Sequence, residues 1–579
     1  MLVTVLALSP APDACTAAVR SSINWGTATS AYQVEGGWNA DGKSPSIWDT
    51  LAQSPGKIAD NTTGDVACDM YNRWAEDIAL MKQLGVKNYR LSVAWTRIIP
   101  AGVAGSAVNM AGVDWYRNLI KALLAAGIRP AVTMYHWDLP QVLQDNYGGF
   151  LSPNIQEDFL YYADTLFKHL GDIVDQWMTF NEVISICELG YQVDVFAPQA
   201  NKGLGAKYTC GHNVLLAHAK TMQLYRTKYA AQKGRVSIAL DGKWGYPKDP
   251  NNPADVAAAE NFMVFQYAWM ADPLYFGDYP AVMKETQGAL LPKFTAEESK
   301  LLRATTIDFF SVNFYCGYYV WAPAPGSPKE LTYDVGANTG GQFISPGIPS
   351  NAPWLFKTPD GLRLTLQWLA KRYNGPEFWI TENGVSGPDE DWKPLPAVLD
   401  DTYRQDYYNV GCRCIGGDGV SGPDEDWKPL PAVLDDTYRQ DYYKTYLDNL
   451  CLAKSVDGVN VGNYYAWSWM DNFEWRDGFK KRFGIIYIDL KNNLARHPKG
   501  TAKWLSQHFF NINPVAPATL RAASVARQTP ATAAVPKPAA APSASVISSK
   551  GKGFSLPFSL ALNKGSGLGL SVKFGPQGK

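Results

Sequence analysis

The chain reads as an α/β protein: a single (β/α)8 TIM barrel followed by a tail of different composition. Three observations predict this. Between about Asn24 and Asn511, short apolar runs rich in β-branched and aromatic residues alternate with longer amphipathic stretches, as in repeated βα units. Eight such runs can be counted, the number that closes a barrel, and polar residues fall at their ends, where barrel enzymes carry their chemistry. After about Pro514 the chain turns to Ala, Pro, Ser, Thr and Lys, a composition that cannot bury a core.

The eight candidate strands end near Ala28 (INWGTATSAYQ), Trp95 (VKNYRLSVAW), His136 (IRPAVTMYHW), Asn181 (DQWMTFNE), Asp241 (RVSIALD), Asn313 (IDFFSVNFY), Glu382 (EFWITEN) and Trp467 (VGNYYAWSW). Between most of them lies enough sequence for a helix, so successive strands are expected to be parallel. With 46% hydrophobic and 13% aromatic residues among 579, a large core can form and rings remain to line a site. Lys plus Arg (53) nearly balance Asp plus Glu (54), which removes the electrostatic case for a nucleic-acid or anionic-membrane partner. No uncharged apolar stretch approaches the ~20 residues that cross a bilayer. The expected partner is a neutral small molecule; oligomeric state stays open.

Residues 1–22 are set apart as an N-terminal segment. Its apolar run lacks a basic start, so a targeting role has weak support and the compartment is open. Residues 23–511 form the expected barrel domain, and 512–579 a disordered tail. Inside the barrel, VSGPDEDWKPLPAVLDDTYRQDYY at 385–408 recurs unchanged at 420–443. A structural repeat would have drifted, so this is read as a recent tandem duplication or a misjoined gene. The first copy continues naturally from the strand ending at Glu382, and the second runs naturally into KTYLDNLCLA. The eight cysteines (15, 68, 187, 210, 316, 412, 414 and 451) are scattered without CxxC pairs and read mostly as reduced or buried thiols. No metal ligand set is expected, and no cofactor.

Cleaving a glycosidic bond with retention needs one carboxylic acid to protonate the leaving oxygen and a second carboxylate about 5 Å away to attack the anomeric carbon. TFNEV places Glu182 directly after an apolar strand with Asn181 beside it, and WITENG places Glu382 at the end of another, before a glycine turn. A single strand-end glutamate also serves as a cap or ion-pair residue. Two of them, able to face each other across a barrel, point to chemistry.

Those glutamates sit among ATSAYQVEG, YRLSVAW, YHWDLPQ, TFNE, VNFY, WITENG, AWSWMDNFEW and KRFGIIYID. The order of these motifs resembles glycoside hydrolase family 1 from about residue 23 to 511, and most of all its β-glucosidases. The resemblance implies Glu182 as general acid and then base, Glu382 as nucleophile, and Arg90 as the cation that keeps Glu382 ionised and oriented. It implies that Asn313 and Tyr315 flank the nucleophile. Gln33, His136, Asn181, Glu474 and Trp475 would hydrogen-bond the nonreducing sugar, with Trp467 stacked beneath it and Trp354 on the leaving-group side. The implied substrate is a small β-glucoside or oligosaccharide, with a galactoside or fucoside as close variants and transfer to an alcohol as a variant reaction.

Three comparisons narrow this expectation. A thioglucosidase of the family carries Gln in place of the acid, where this chain has Glu182. Phospho-glycosidases need Ser and Lys where this chain has Glu474 and Trp475, and a carboxylate there repels phosphate. Catalytically silent relatives usually lack one of the glutamates, whereas both are present, so a binding-only barrel is disfavoured. The sequence departs from the family pattern at Val183, where proline is common, in the lead-in to the first strand, and at the duplication, which begins three residues after Glu382 on the expected catalytic face.

Overall fold

The computed structural model describes residues 14–336, 342–386 and 434–511. Most of the first duplicated copy, its linker with Cys412 and Cys414, and the tail from 512 lie outside the described residues. Eight strands form the barrel: β1 (Asn24–Ala28), β2 (Asn88–Ser92), β3 (Arg129–Tyr135), β4 (Gln176–Asn181), β5 (Arg235–Pro247), β6 (Phe310–Val320), β7 (Phe378–Asn383) and β8 (Val461–Trp467). Each pairs in parallel with its chain neighbours, and β1 pairs with β8 to close the cylinder. Strands covered on both faces need apolar side chains throughout. Accordingly β2, β4 and β7 are buried at every position.

One group of buried polar side chains draws on many strands. Arg90, Thr133, Asn181, Asn313 and Glu382 are buried, and they come from five different strands. Register aligns part of this layer: Asp241 on β5 lies opposite Asn313 on β6, and Asn313 opposite Glu382 on β7.

Three expectations need correction. The second strand stops at Ser92, and Trp95 begins a short helix, Trp95–Ile98; its ring is fully buried and stacks on Tyr162 at 4.9 Å, so its apolar signal belonged to packing. β5 and β6 run past Asp241 and Asn313, pairing from Trp244 with Gly317 to Pro247 with Val320. Glycines there suggest breaks, but each marks close approach: a Cβ on Gly242 would meet the Tyr267 ring at 2.5 Å, and one on Gly317 the Trp244 carbonyl oxygen at 2.8 Å. The third correction concerns the cysteines. Cys15 is bonded to Cys451 and Cys187 to Cys210, leaving Cys68 and Cys316 as buried thiols among the described residues. Cys15 and Cys451 are 436 residues apart in sequence, a pairing created by the fold and invisible to spacing.

The second duplicated copy contributes structure. Its last residues open the helix Thr437–Ser455, whose Arg439, Tyr442 and Tyr443 are buried. Arg439 donates from Nε to the Val385 carbonyl, and the Tyr443 hydroxyl donates to the Trp467 carbonyl at 2.9 Å. This helix therefore braces both the loop after β7 and the end of β8.

Candidate active site

Glu382, 2% exposed at the end of β7, has both carboxylate oxygens occupied. Arg90 donates from Nη1 to Oε1 at 2.6 Å, and the Tyr315 hydroxyl donates to Oε2 at 2.7 Å. A buried arginine costs much desolvation unless its fork is filled, and every arm of this one is. Nε bonds Thr133 Oγ1, Nη1 also reaches the Thr381 carbonyl, and Nη2 bonds Asn181 Oδ1 at 2.6 Å. Burial raises the Glu382 carboxyl, while Arg90, Tyr315 and Asn313 pull it back toward the ionised form.

Glu182 follows β4 with a left-handed backbone, φ 56°, a conformation that a residue with a side chain adopts only when its surroundings impose it. This turns the chain from strand into the short helix Val183–Ser185 and presents the carboxyl at the barrel end. Its Oε1 accepts from Asn313 Nδ2 at 2.9 Å; among the described residues it makes no ion pair. Burial pushes this carboxyl well above the ordinary range, and the charges of Asp241 and Glu382 add to the rise, against Asn313 and Lys243. Two glutamates on one barrel rim thus sit in opposite company, the arrangement that separates an acid from a nucleophile.

Asn313 and Asn181 tie the two sides together. Asn313 Nδ2 also reaches Asn181 Oδ1 at 3.0 Å, and its own Oδ1 accepts from Thr381. Because Asn181 Oδ1 accepts from Arg90 and Asn313, its Nδ2 donates to His136 Nε2 at 3.1 Å, which leaves the imidazole proton on Nδ1. Burial first, then Arg90, hold His136 well below its ordinary pKa, so the ring is neutral. It lies near-parallel to Trp467 at 5.7 Å and to Trp475 at 6.1 Å. Gln33 donates to Glu474 Oε2 at 3.1 Å, and its own Oε1 is held by Ser30. Burial, Asp477 and Glu382 raise the Glu474 carboxyl well above its usual range. Trp354 is half-buried, edge-on to Tyr315 at 5.7 Å. All twelve residues singled out in the sequence are thereby brought into one connected set.

Such a set of paired carboxyls, amides and rings can now be compared with known proteins. The profile described as Glycosyl hydrolase family 1 matches residues 16–415 and 412–512. The chain belongs to glycosyl hydrolase family 1. Beta-glucosidase 42 of Arabidopsis thaliana is 39% identical over 84% of this chain and 92% of its own length. Beta-glucosidase 12 of Oryza sativa subsp. japonica is 40% identical over 83% and 91%. The crystal structure of the β-glucosidase from Trichoderma harzianum superposes with a TM-score of 0.74 at 39% identity, covering 86% of this chain and 98% of that one. Family membership and these relatives make the chain an O-glycosyl hydrolase of the β-glucosidase type. The two pieces of the family match meet at 412–415, inside the segment that links the duplicated copies.

Several residues that support this family 1 site escaped the sequence reading. Trp137, also left-handed at φ 78°, donates from its indole to the Asn181 carbonyl at 3.0 Å and packs against Trp475 at 4.5 Å. Tyr446 and Tyr442 donate their hydroxyls to the Tyr315 carbonyl at 2.8 and 3.2 Å. Asp241 is buried midway along β5. Only Asp241 carried a readable signal, as the polar end of the expected strand. Among the described residues no cluster of His, Cys, Asp and Glu is placed to hold a metal, and no helix is long and apolar enough to cross a membrane.

Proposed function

We propose that this glycosidase acts with retention, releasing terminal nonreducing β-D-glucosyl or closely related residues through a covalent glycosyl-Glu382 intermediate. The observation that carries the reading is the contrast at the two strand ends. Glu382 is paired by a buried guanidinium and a tyrosine hydroxyl, whereas the described contact of Glu182 is a neutral amide beside other carboxyls. An ionised nucleophile and a protonated acid are the states the first step requires.

In that step Glu182 gives its proton to the glycosidic oxygen as a Glu382 oxygen attacks the anomeric carbon. The bond to the aglycone breaks, an alcohol departs, and the charge of Glu382 is lost in the ester. Without that neighbouring charge Glu182 becomes the carboxylate base. It takes a proton from water, whose oxygen attacks the same carbon and returns Glu382 as carboxylate. Arg90, Asn313 and Tyr315 orient the nucleophile. Gln33, His136, Asn181, Glu474 and Trp475 take the sugar hydroxyls, Trp467 its apolar face, and Trp354 the aglycone. The catalytic unit is assigned to residues 23–511, with a small β-glucoside or oligosaccharide as partner. The same fold supports a mutant of a rice β-glucosidase in a covalent complex with Glc, which fits this scheme. Turnover of a chromogenic β-glucoside, with the first-formed sugar followed by proton NMR, tests it. β-Glucose must appear first; α-glucose first, or no turnover, overturns the proposal.

A further inference from the structure

The barrel carries a charged stretch of strand that the two-step displacement does not use. β5 leaves the barrel core through Asp241-Gly242-Lys243. Residues two apart on a strand share a face, so Asp241 and Lys243 point to the same side while Gly242 faces the Tyr267 ring, 2.5 Å from where a Cβ would stand. A register shift falls in this stretch of strand, with Tyr315 and Cys316 lying between the β6 partners of Gly242 and Trp244. On the adjoining strand, the Glu182 backbone N–H donates to the Ala239 carbonyl of β5 at 2.9 Å.

Asp241 grips the peptide just beyond the acid. Its Oδ1 accepts from the Ile184 backbone N–H at 3.2 Å and its Oδ2 from the Ser185 hydroxyl at 2.8 Å. The first N–H groups of a helix have no partner within it, and here a side chain from another strand supplies one. The turn that forces Glu182 into its left-handed conformation is thus clamped by a buried carboxylate. Lys243, two residues on, is half-buried and its charge favours the ionised form of this carboxyl, while among the described residues its ammonium makes no hydrogen bond or ion pair.

We propose that the Asp241-Gly242-Lys243 segment of β5 positions Glu182 and sets the local charge in which it works, with Asp241 as the clamp and Lys243 as its counterweight. The inference rests on the role of Glu182 as acid/base. Other groups act on the same carboxyl: Glu382 from β7 with Arg90 behind it, Tyr315 from β6, and Tyr267 from the segment Val264–Ala268. Glu382 has its own cation, so its charge is partly answered where it stands. Of the charges around Glu182, that of Asp241 acts first in favour of the protonated acid and Lys243 opposes it, while burial raises the Asp241 carboxyl itself.

The experiment is a set of pH profiles of kcat/KM on the full chain with the chromogenic glucoside. Asp241→Asn keeps an acceptor for Ile184 and, through its amide, a partner for Ser185, but removes the charge. Its alkaline limb should move to lower pH by about one unit, the scale of a neighbouring charge, with the acid limb in place. Lys243→Met, which touches no clamp bond, should move the alkaline limb the other way. Asp241→Ala should in addition lower kcat at every pH, because the clamp is gone. Alkaline limbs in Asp241→Asn and Lys243→Met that coincide with the parent overturn the proposal; if Asp241→Asn folds poorly, Lys243→Met alone decides the charge effect. An NMR titration of carboxyl-labelled Glu182 reads the same shift without turnover. An inactive parent chain with a shifted titration would therefore sink the glycosidase mechanism and leave the segment's influence standing.

Discussion

Glu182 and Glu382 are the same amino acid at the ends of two parallel strands, both almost fully buried, yet their surroundings differ in kind. Glu382 is held by charge: a guanidinium whose arms are all bonded, and a tyrosine whose carbonyl is pinned by two further tyrosines. Glu182 is held by geometry: a left-handed backbone, one amide and a clamped turn. Burial raises both carboxyls, and what separates them is which neighbour answers it. The difference teaches that the fold assigns roles less through the glutamates than through their partners, which sit on other strands.

Deleting each carboxyl tests that contrast most severely. Glu382→Ala should lower kcat by about 10⁵-fold, the scale of removing a covalent nucleophile. Azide, entering the vacated space, should restore part of the rate on an activated glucoside and yield the α-glucosyl azide. Glu182→Ala should cost about 10²- to 10⁴-fold, as for a lost general acid, and less with a leaving group that needs no proton. Equal losses for good and poor leaving groups in Glu182→Ala would remove the distinction between the two residues.

Smaller changes should move one limb of the pH profile and spare the other. A raised Glu382 pKa means its ionised form is lost at higher pH on acidification, so the acid limb of kcat/KM moves up. Arg90→Met removes the opposing cation and should shift that limb most, along with a marked loss of stability from the unpaired buried carboxylate. Tyr315→Phe removes one hydrogen bond to a charged group, about 1.5–3 kcal/mol, and should slow turnover by about ten- to a hundredfold with a smaller shift of the same sign. The alkaline limb, assigned to Glu182 in the proposed mechanism, should stay in place for Tyr315→Phe. If both limbs move together in that variant, the two carboxyls titrate as one unit and the contrast between them fails.

How far this was legible in the sequence follows from the same physics. Strand ends at Ala28, Asn181 and Trp467 coincide with the structure; burial does not mark them, because Thr29, Val183 and Trp469 just beyond are buried as well. The two glutamates stood out because a carboxyl is costly there without a purpose. Trp137, Tyr442 and Tyr446 did not stand out, since each acts by donating to a backbone carbonyl, and carbonyls have no sequence signature. The reach of β5 and β6 beyond the barrel was hidden by glycines that look like breaks and are points of close packing. The disulfides were hidden because pairing depends on distance in space.

The mildest prediction concerns the duplication and asks whether Glu382 depends on which copy follows it. Removing residues 385–419 joins Gly384 to Val420, so Val420 and Ser421 take the places of Val385 and Ser386 with identical side chains. The helix Thr437–Ser455 braces the surroundings of Glu382 through bonds of Tyr442 with Asn383, Tyr443 with Trp467, Tyr446 with Tyr315 and Arg439 with Val385, and the deletion leaves that helix whole. Only the second copy is followed by the residues that bury Tyr446, Leu447 and Leu450 and pair Cys451 with Cys15. The copy at 385–408 is followed instead by NVGCRCIGGDG. The shortened chain should fold and turn over the glucoside with both pH limbs unmoved and kcat within a few-fold of the parent or above it. A shortened chain that loses activity, or whose acid limb shifts, would mean that the extra 35 residues take part in holding Glu382, alongside Arg90, Tyr315 and the helix that braces them.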